Sequence, residues 1–167
     1  MSRRCVLSDP IRFALDERSL QGRVALADMA RLSDLLVDST GEASWVLSGE
    51  RDAGGKPFLR LEVQARPVLR CQRCLTGLEW DFDHVSVLRL VRPGTPIGDD
   101  DLENDEYDTI EAQPDLDVIA LLEEEMLLAL PLAPVHENCE PPRPLGGDEK
   151  KSPFDVLASL RGSNKLQ

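Results

Sequence analysis

The architecture follows from residues 58–91, which read FLRLEVQARPVLRCQRCLTGLEWDFDHVSVLRLV. Two runs in this stretch, Phe58–Leu69 and Leu78–Val91, place apolar side chains among polar ones in the manner of half-buried strands. Pro67 interrupts the first run, because proline has no N–H to donate to a strand ladder. The link between the runs holds a Cys-x-x-Cys motif. Consecutive strands with a short link pair as antiparallel neighbours, so this stretch predicts a hairpin.

Further strands are predicted on both sides of the hairpin. Ala43–Leu47 precedes it through a Gly- and Pro-containing turn, and Leu20–Leu26 is a shorter run upstream. Tyr107–Ile110 is a candidate for a short returning strand. Together these runs predict an antiparallel sheet with a meander order, with closure into a barrel-like sheet as an alternative.

Two helices are predicted to cover the sheet. Ala27–Val37 carries apolar residues at helical spacing, and Leu116–Leu130 does so over a longer stretch. Asp115 is the expected N-cap of the longer helix, and Pro131 ends it. The fold class is therefore predicted as α+β.

The net charge of −12 is concentrated in one block of the chain. Residues 93–142 hold 15 Asp and Glu and no Lys or Arg, and they include a predicted acidic loop at 94–108. Such a block opposes autonomous binding to phosphate backbones and favours a basic protein as partner. The alternative is a solvated loop that only aids solubility.

The length of 167 residues suits one domain followed by a tail. We expect a single α+β domain over residues 1–139. Residues 140–167 are expected to form a Pro- and Gly-rich linker and a C-terminal helix with Ser152 as its N-cap. No stretch approaches the roughly 20 apolar residues of a membrane span, and the N-terminus lacks the apolar core of a signal peptide. The expected location is the cytoplasm, with no membrane contact.

Four thiol and imidazole side chains have the spacing of a zinc site. Cys71 and Cys74 form one pair, and His136 and Cys139 form a second pair at the same spacing. Together they would supply the four ligands of a tetrahedral structural zinc ion. Two alternatives remain open: a turn that holds no metal, and a redox pair. The redox reading is weaker, because nothing after Cys74 resembles the helix that follows a thioredoxin-like motif.

Arginines flank the hairpin, and Arg66, Arg70 and Arg73 could form a basic patch that contacts RNA phosphates. The alternative is a strand face with ordinary surface salt bridges. No nucleophile elbow, phosphate-binding loop, dinucleotide fingerprint or HExxH motif occurs in the chain. The sequence therefore predicts a protein that is not an enzyme.

Three stretches in this order resemble the YceD family, the large-ribosomal-RNA-subunit accumulation proteins. They are LRCQRC at 69–74, LEEEMLLALPLAPVH at 122–136 and SPFDVLASL at 152–160, and the resemblance covers roughly residues 9–161. It implies a role in 23S rRNA accumulation and large-subunit assembly, with no enzymatic activity. Some relatives carry additional cysteines after the long helix, where this chain has only His136 and Cys139.

Charge and resemblance together lead to one functional hypothesis. We expect a non-enzymatic factor that binds a large-subunit ribosomal protein or a pre-ribosomal particle, with 23S rRNA as a further candidate partner. The expected contact residues are Glu123, Glu124, Pro131, Pro153 and Phe154. The alternatives are an RNA-binding factor that uses the arginine-flanked hairpin, and a thiol-dependent RNA-processing or redox enzyme.

Overall fold

The computed structural model describes residues 5–98 and 104–142. Its elements are mostly strands, with three α-helices among them. The strands are β1 (Val6–Leu7), β2 (Ser19–Ala25), β3 (Leu36–Asp38), β4 (Glu42–Arg51), β5 (Pro57–Ala65), β6 (Val68–Arg70), β7 (Gly77–Glu79), β8 (Phe82–Val91), β9 (Asp108–Glu111) and β10 (Leu116–Asp117). The helices are α1 (Pro10–Leu15), α2 (Ala30–Ser33) and α3 (Val118–Ala129), and a 3-10 turn spans Leu26–Asp28.

The main sheet has five strands in the order β2-β4-β5-β8-β9. The first four strands are antiparallel, as predicted, whereas β9 pairs parallel to β8. A parallel neighbour needs a long crossover, and residues 92–107 between β8 and β9 provide one. The sheet is open rather than closed into the barrel-like alternative, since β2 and β9 lie at opposite ends of the strand order.

One long, bent hairpin runs through the middle of this sheet. Ala65 lies opposite Phe82 at the end of the β5–β8 ladder, and Arg70 lies opposite Gly77 at the end of the β6–β7 ladder. Both ladders share one register, so β6 and β7 continue the hairpin beyond the break at Pro67. The β6–β7 end also pairs with β3, which makes a second sheet of three strands.

Helices α1 and α3 bury their apolar sides in the same core cluster as the sheet. Helix α1 crosses β4 at Gly49, where a Cβ atom would lie only 2.6 Å from the Ala14 Cα. Glycine at this position therefore permits the close approach of helix and strand. The largest fully buried side chains include Leu26, Met29, Leu32, Leu47, Leu59, Leu61, Leu88, Leu122 and Met126.

The predicted helix at Ala27–Val37 is mostly wrong. The structure has a 3-10 turn, the four-residue helix α2, and then strand β3 at Leu36–Asp38. Leu35, which the helical stripe would bury, is exposed. Pairing of β3 with β6 overrides the local helical pattern, because a neighbouring strand offers backbone hydrogen bonds that periodicity alone does not show.

The long helix starts later than predicted. Leu116 and Asp117 pair with β1, and the helix begins at Val118. Asp117, not Asp115, is the N-cap: its Oδ1 accepts hydrogen bonds from the N–H groups of Ile119 at 3.0 Å and Ala120 at 3.3 Å. The prediction of two helices also missed α1. Asp9 caps that helix by accepting a hydrogen bond from the Arg12 N–H at 2.9 Å.

Several predicted features lie outside the described residues. They are residues 99–103 of the acidic loop and the C-terminal helix with Pro153 and Phe154. The division into a domain at 1–139 and a tail at 140–167 therefore stays a prediction. Within the described ranges, no helix combines the length and the apolar character that crossing a bilayer requires.

A buried carboxylate joins α3 to α2. Glu123 accepts hydrogen bonds from the N–H groups of Arg31 at 2.7 Å and Leu32 at 3.1 Å, and from the Arg31 guanidinium at 3.1 Å. Met29, the residue before α2, provides no side-chain cap. The Glu123 carboxylate therefore satisfies free N–H groups at the start of a helix that has no local cap.

This cap predicts a clear difference between two neighbouring glutamates. Glu123→Ala removes all three hydrogen bonds and should lower the free energy of unfolding by about 2 kcal/mol. Glu124→Ala, one residue further along α3 at an exposed position, should stay within about 0.5 kcal/mol of the parent protein. Urea denaturation measures the free energy of unfolding of both variants. Equal losses of this free energy would show that the Glu123 hydrogen bonds add no stability beyond that of an exposed glutamate.

Candidate metal centre

The tip of the bent hairpin places two thiols side by side. The Cys71 N–H donates to the Thr76 carbonyl at 2.9 Å, and the Leu75 N–H donates to the Cys71 carbonyl at 2.9 Å. Within this tight loop the Cys74 N–H points at the Cys71 Sγ from 3.5 Å. A backbone N–H aimed at sulfur stabilises a thiolate, which is the form that binds metals.

The segment that follows α3 returns to this tip. Pro134 is buried, and its carbonyl accepts a hydrogen bond from the Gln72 N–H at 2.8 Å. The Arg73 guanidinium donates to the Cys139 carbonyl at 3.2 Å. These two hydrogen bonds to backbone carbonyls hold residues 134–139 against the loop between the two cysteines.

The four predicted ligands meet at this junction. The potential ligand atoms of Cys71, Cys74, His136 and Cys139 all lie within 4.8 Å of one another. The Cys71 and Cys139 sulfurs are 3.7 Å apart, and the Cys74 sulfur is 3.4 Å from the His136 Nδ1. Zinc bonds of about 2.3 Å to sulfur in a tetrahedron place two sulfurs about 3.8 Å apart. The cluster therefore has a donor set and spacing that can hold a metal ion such as zinc.

A backbone carbonyl orients the histidine. The His136 Nε2 lies 3.2 Å from the Gly77 carbonyl oxygen, which can only accept a hydrogen bond. This contact makes Nε2 a hydrogen-bond donor, so Nδ1 is the ring nitrogen that faces the Cys74 sulfur. Metal-ligating histidines are commonly held in this way by an acceptor on the other ring nitrogen.

The protonation of the cluster reflects these contacts. Burial raises the pKa of the Cys71 thiol, but surrounding N–H groups, above all that of Cys74, outweigh it and bring the pKa down to about 5. Hydrogen bonds from Thr76 lower the pKa of Cys74. Hydrogen bonds to the Cys71 and Cys74 sulfurs raise the pKa of His136, whereas burial raises the pKa of Cys139. Metal binding would displace the protons that these groups retain.

The position of the thiols bears on the redox alternative. A thioredoxin-like pair stands at the start of a helix, whose positive end stabilises the thiolate. Here the Cys71–Cys74 loop joins strands β6 and β7. The hairpin tip instead joins two strands, and a second pair of potential metal ligands comes from a segment after α3.

The arginines of the hairpin are spread over different contacts. Arg66 pairs with Asp81 at 2.8 Å, and both side chains are exposed. Arg73 donates to the Cys139 carbonyl, whereas Arg70 is exposed at the end of β6. All three arginines are exposed, and two of them also contact groups of this chain.

The predicted contact residues near α3 differ in accessibility. Glu123 is 9% exposed and bonded to α2, and Glu124 is exposed. Pro131 is half-buried just after the helix, and the next residue, Leu132, is fully exposed. The structure thus leaves Glu124 and the segment after α3 accessible to a partner.

Sequence reasoning missed three groups. The Gly77 and Pro134 carbonyls left no signal, because any residue supplies a carbonyl and only the fold places it. Glu125, in contrast, follows Leu121 by four residues, so the apolar stripe of α3 indicates that it faces inward.

The chain is similar to one family of known proteins, and the matched stretch spans both pairs of the cluster. The family model of the large ribosomal RNA subunit accumulation protein YceD matches residues 59–161. A relative from Haemophilus influenzae named "Large ribosomal RNA subunit accumulation protein YceD" is 30% identical over 174 residues, which cover 92% of this chain and 93% of the relative. The chain belongs to the YceD family. No solved structure matches it.

The six-residue tip of the hairpin, residues 71–76, carries a strained residue just after Cys74, and its effect can be tested. Leu75 has a φ of 65°, a left-handed conformation that favours glycine, and its side chain is half exposed. Leu75→Gly should therefore raise the free energy of unfolding by about 0.5 to 1 kcal/mol through relief of strain. Leu75→Ala removes the same side chain and keeps the strain, so it should give no such gain. Thermal unfolding of both variants measures the difference, and a loss in the glycine variant would contradict it.

Proposed function

We propose that this protein is a non-enzymatic factor for 23S rRNA accumulation and large ribosomal subunit biogenesis. It acts in the cytoplasm by binding a large-subunit ribosomal protein or a pre-ribosomal particle. The observation that carries the proposal is the match to a relative named for large ribosomal RNA subunit accumulation over nearly the full length of both chains.

The distribution of charge supports a basic protein as the direct partner. Residues 93–142 contain 15 Asp and Glu without any Lys or Arg. Complementary charge accelerates encounter and rejects partners of the same sign. Ribosomal RNA carries one negative charge per nucleotide, so the acidic block would meet a cationic protein more readily than RNA.

We further propose that the cluster of Cys71, Cys74, His136 and Cys139 holds one structural Zn(II) ion. Four protein ligands complete a tetrahedral shell and leave no position for a substrate or an activated water. Such an ion would link Cys74 to His136, 62 positions further along the chain, and a cross-link gains most stability when it closes a long loop. A closed shell also keeps the thiols from acting as redox catalysts.

Metal analysis of the purified full chain tests the zinc proposal. We expect one zinc ion per chain, and removal of the ion by a chelator should lower the melting temperature by about 10 °C or more. Cys139→Ser should bind zinc much more weakly, because it removes one of four ligands.

Cys5→Ser is the matched control for this experiment. It removes a thiol that lies outside the cluster, so zinc content should not change. A chain purified without metal that also fails to take up added zinc would contradict the proposal. Equal zinc content in the two serine variants would do the same.

Sedimentation of a cell extract tests the ribosomal role. At low salt the protein should migrate with large-subunit precursors, and it should be released as salt screens the charges. Cells without the protein should contain less 23S rRNA relative to 16S rRNA. A protein that remains at the top of the gradient even at low salt would count against the role.

The same gradient experiment distinguishes contact through the acidic block from the alternative, RNA binding by the arginine-flanked hairpin. A double variant with Arg66→Ala and Arg70→Ala should still migrate with the precursors if the acidic surface makes the contact. Loss of migration in this variant, together with steep salt-dependent binding of naked 23S rRNA by the parent protein, would favour the arginine-flanked hairpin instead.

A further inference from the structure

A groove lies between helix α3 and the β8–β9 edge of the main sheet, away from the metal cluster. It has a volume of about 400 Å³ and is lined by residues 84–87, residues 104–108 and three residues of α3. We call it the α3–β9 groove. It is large enough to accept several side chains of an extended peptide.

The lining of the groove is strongly anionic. Asp105, Glu106 and Asp108 come from one wall, and Glu125 comes from α3. Among the described residues that line it there is no Lys or Arg, and His84 is the single group that can carry a positive charge. Four carboxylates in one concave surface focus a negative potential on whatever enters.

Glu125 is the residue that points to a ligand. It is 7% exposed, and no described cation forms an ion pair with it. Burial raises the pKa of the Glu125 carboxyl, and the negative charges of Asp108 and Glu124 raise this pKa further. The hydrogen bond with the Ser86 hydroxyl and the charge of His84 act in the opposite direction and lower it.

Glu123, on the same helix, is a buried carboxylate whose hydrogen-bond donors all come from the protein itself. Two N–H groups and a guanidinium surround it, whereas no Lys or Arg among the described residues forms an ion pair with Glu125 at the groove. A buried carboxylate that lacks a cationic partner costs free energy of folding. A cation that enters the groove would supply the missing partner.

The groove also has an apolar rim. Leu128 lies one helical turn from Glu125 and is 74% exposed, and Val85 of β8 is 42% exposed. Both residues line the groove. Apolar surface beside carboxylates suits a peptide that presents both aliphatic and cationic side chains.

We propose that the α3–β9 groove binds an extended segment of a basic protein, with a lysine or arginine side chain placed against Glu125 and an aliphatic side chain against Leu128. This rests on the proposed function, since it assigns the contact site for the basic ribosomal partner. RNA is disfavoured in this groove, because its phosphates would meet four carboxylates.

Peptide binding to the full-length, metal-loaded protein tests the proposal. The probe is a fluorescein-labelled decapeptide of alternating lysine and valine, and its affinity is measured by fluorescence anisotropy. Glu125→Gln should weaken binding about tenfold, because it removes the buried charge that faces the probe. Glu124→Gln removes the same charge from an exposed position on the same helix and should weaken binding less than about twofold.

A second pair of measurements tests the apolar contact. Leu128→Ser should weaken the lysine–valine probe about fivefold through loss of apolar contact. The same variant should leave a lysine–serine decapeptide unaffected. The Glu125→Gln variant should unfold at the same or a higher temperature than the parent, which shows that any loss of binding is not a loss of folding.

Several outcomes would overturn the assignment. Equal losses in the two glutamine variants would mean that the probe senses only net charge. Binding of spermine that matches the lysine–valine probe and depends equally on Glu125 would indicate a polyamine site. Absence of measurable probe binding would remove the groove as a docking site.

Failure of this inference is distinguishable from failure of the proposed function. If the parent protein and Glu125→Gln both migrate with large-subunit precursors but the peptide probe does not bind the parent protein, only the groove assignment is lost. If the probe binds as expected but the parent protein stays at the top of the gradient, the ribosomal role is lost and the groove remains a peptide site.

Discussion

The shared register of the bent hairpin is the constraint on which the candidate metal centre depends. Arg70 opposite Gly77 leaves six residues for the tip, and the Cys71–Thr76 hydrogen bond closes it. This tight closure brings two thiols to one end of the hairpin and turns a backbone N–H towards sulfur. It also exposes the Gly77 carbonyl to the histidine that arrives from the other end of the fold. A slip of the register by one residue would reverse which side chains face the core and would separate these groups.

Helix α3 links the remaining features, and its three consecutive glutamates have three different environments. Glu123 caps α2, Glu124 faces solvent, and Glu125 lines a groove to which the described part of the chain contributes no Lys or Arg. Successive helical positions turn by about 100°, so adjacent identical residues face different neighbours. The helix thus contributes to stability at one residue and provides a candidate binding surface two residues later, while the segment beyond it reaches the metal cluster.

Most of the sheet could be predicted from the sequence, because its strands alternate apolar and polar residues between clear turns. The errors occurred where a distant partner determined local structure. Pairing with β6 made Leu36–Asp38 a strand, and pairing with β1 delayed the start of α3 to Val118. Likewise, the short pattern at Tyr107–Ile110 did not reveal the parallel pairing of β9, which its long crossover permits.

By itself, the sequence determined the chemistry of the candidate site: three cysteines and a histidine in two pairs, and an acidic block without cations. Only the tertiary structure decided that the pairs, 62 residues apart, meet within bonding range of one ion. It also decided that one of three consecutive glutamates caps a helix while another is buried beside a groove. The reason is physical. Residue type and spacing describe what a segment can bind, whereas distance and burial depend on the packing of the whole chain.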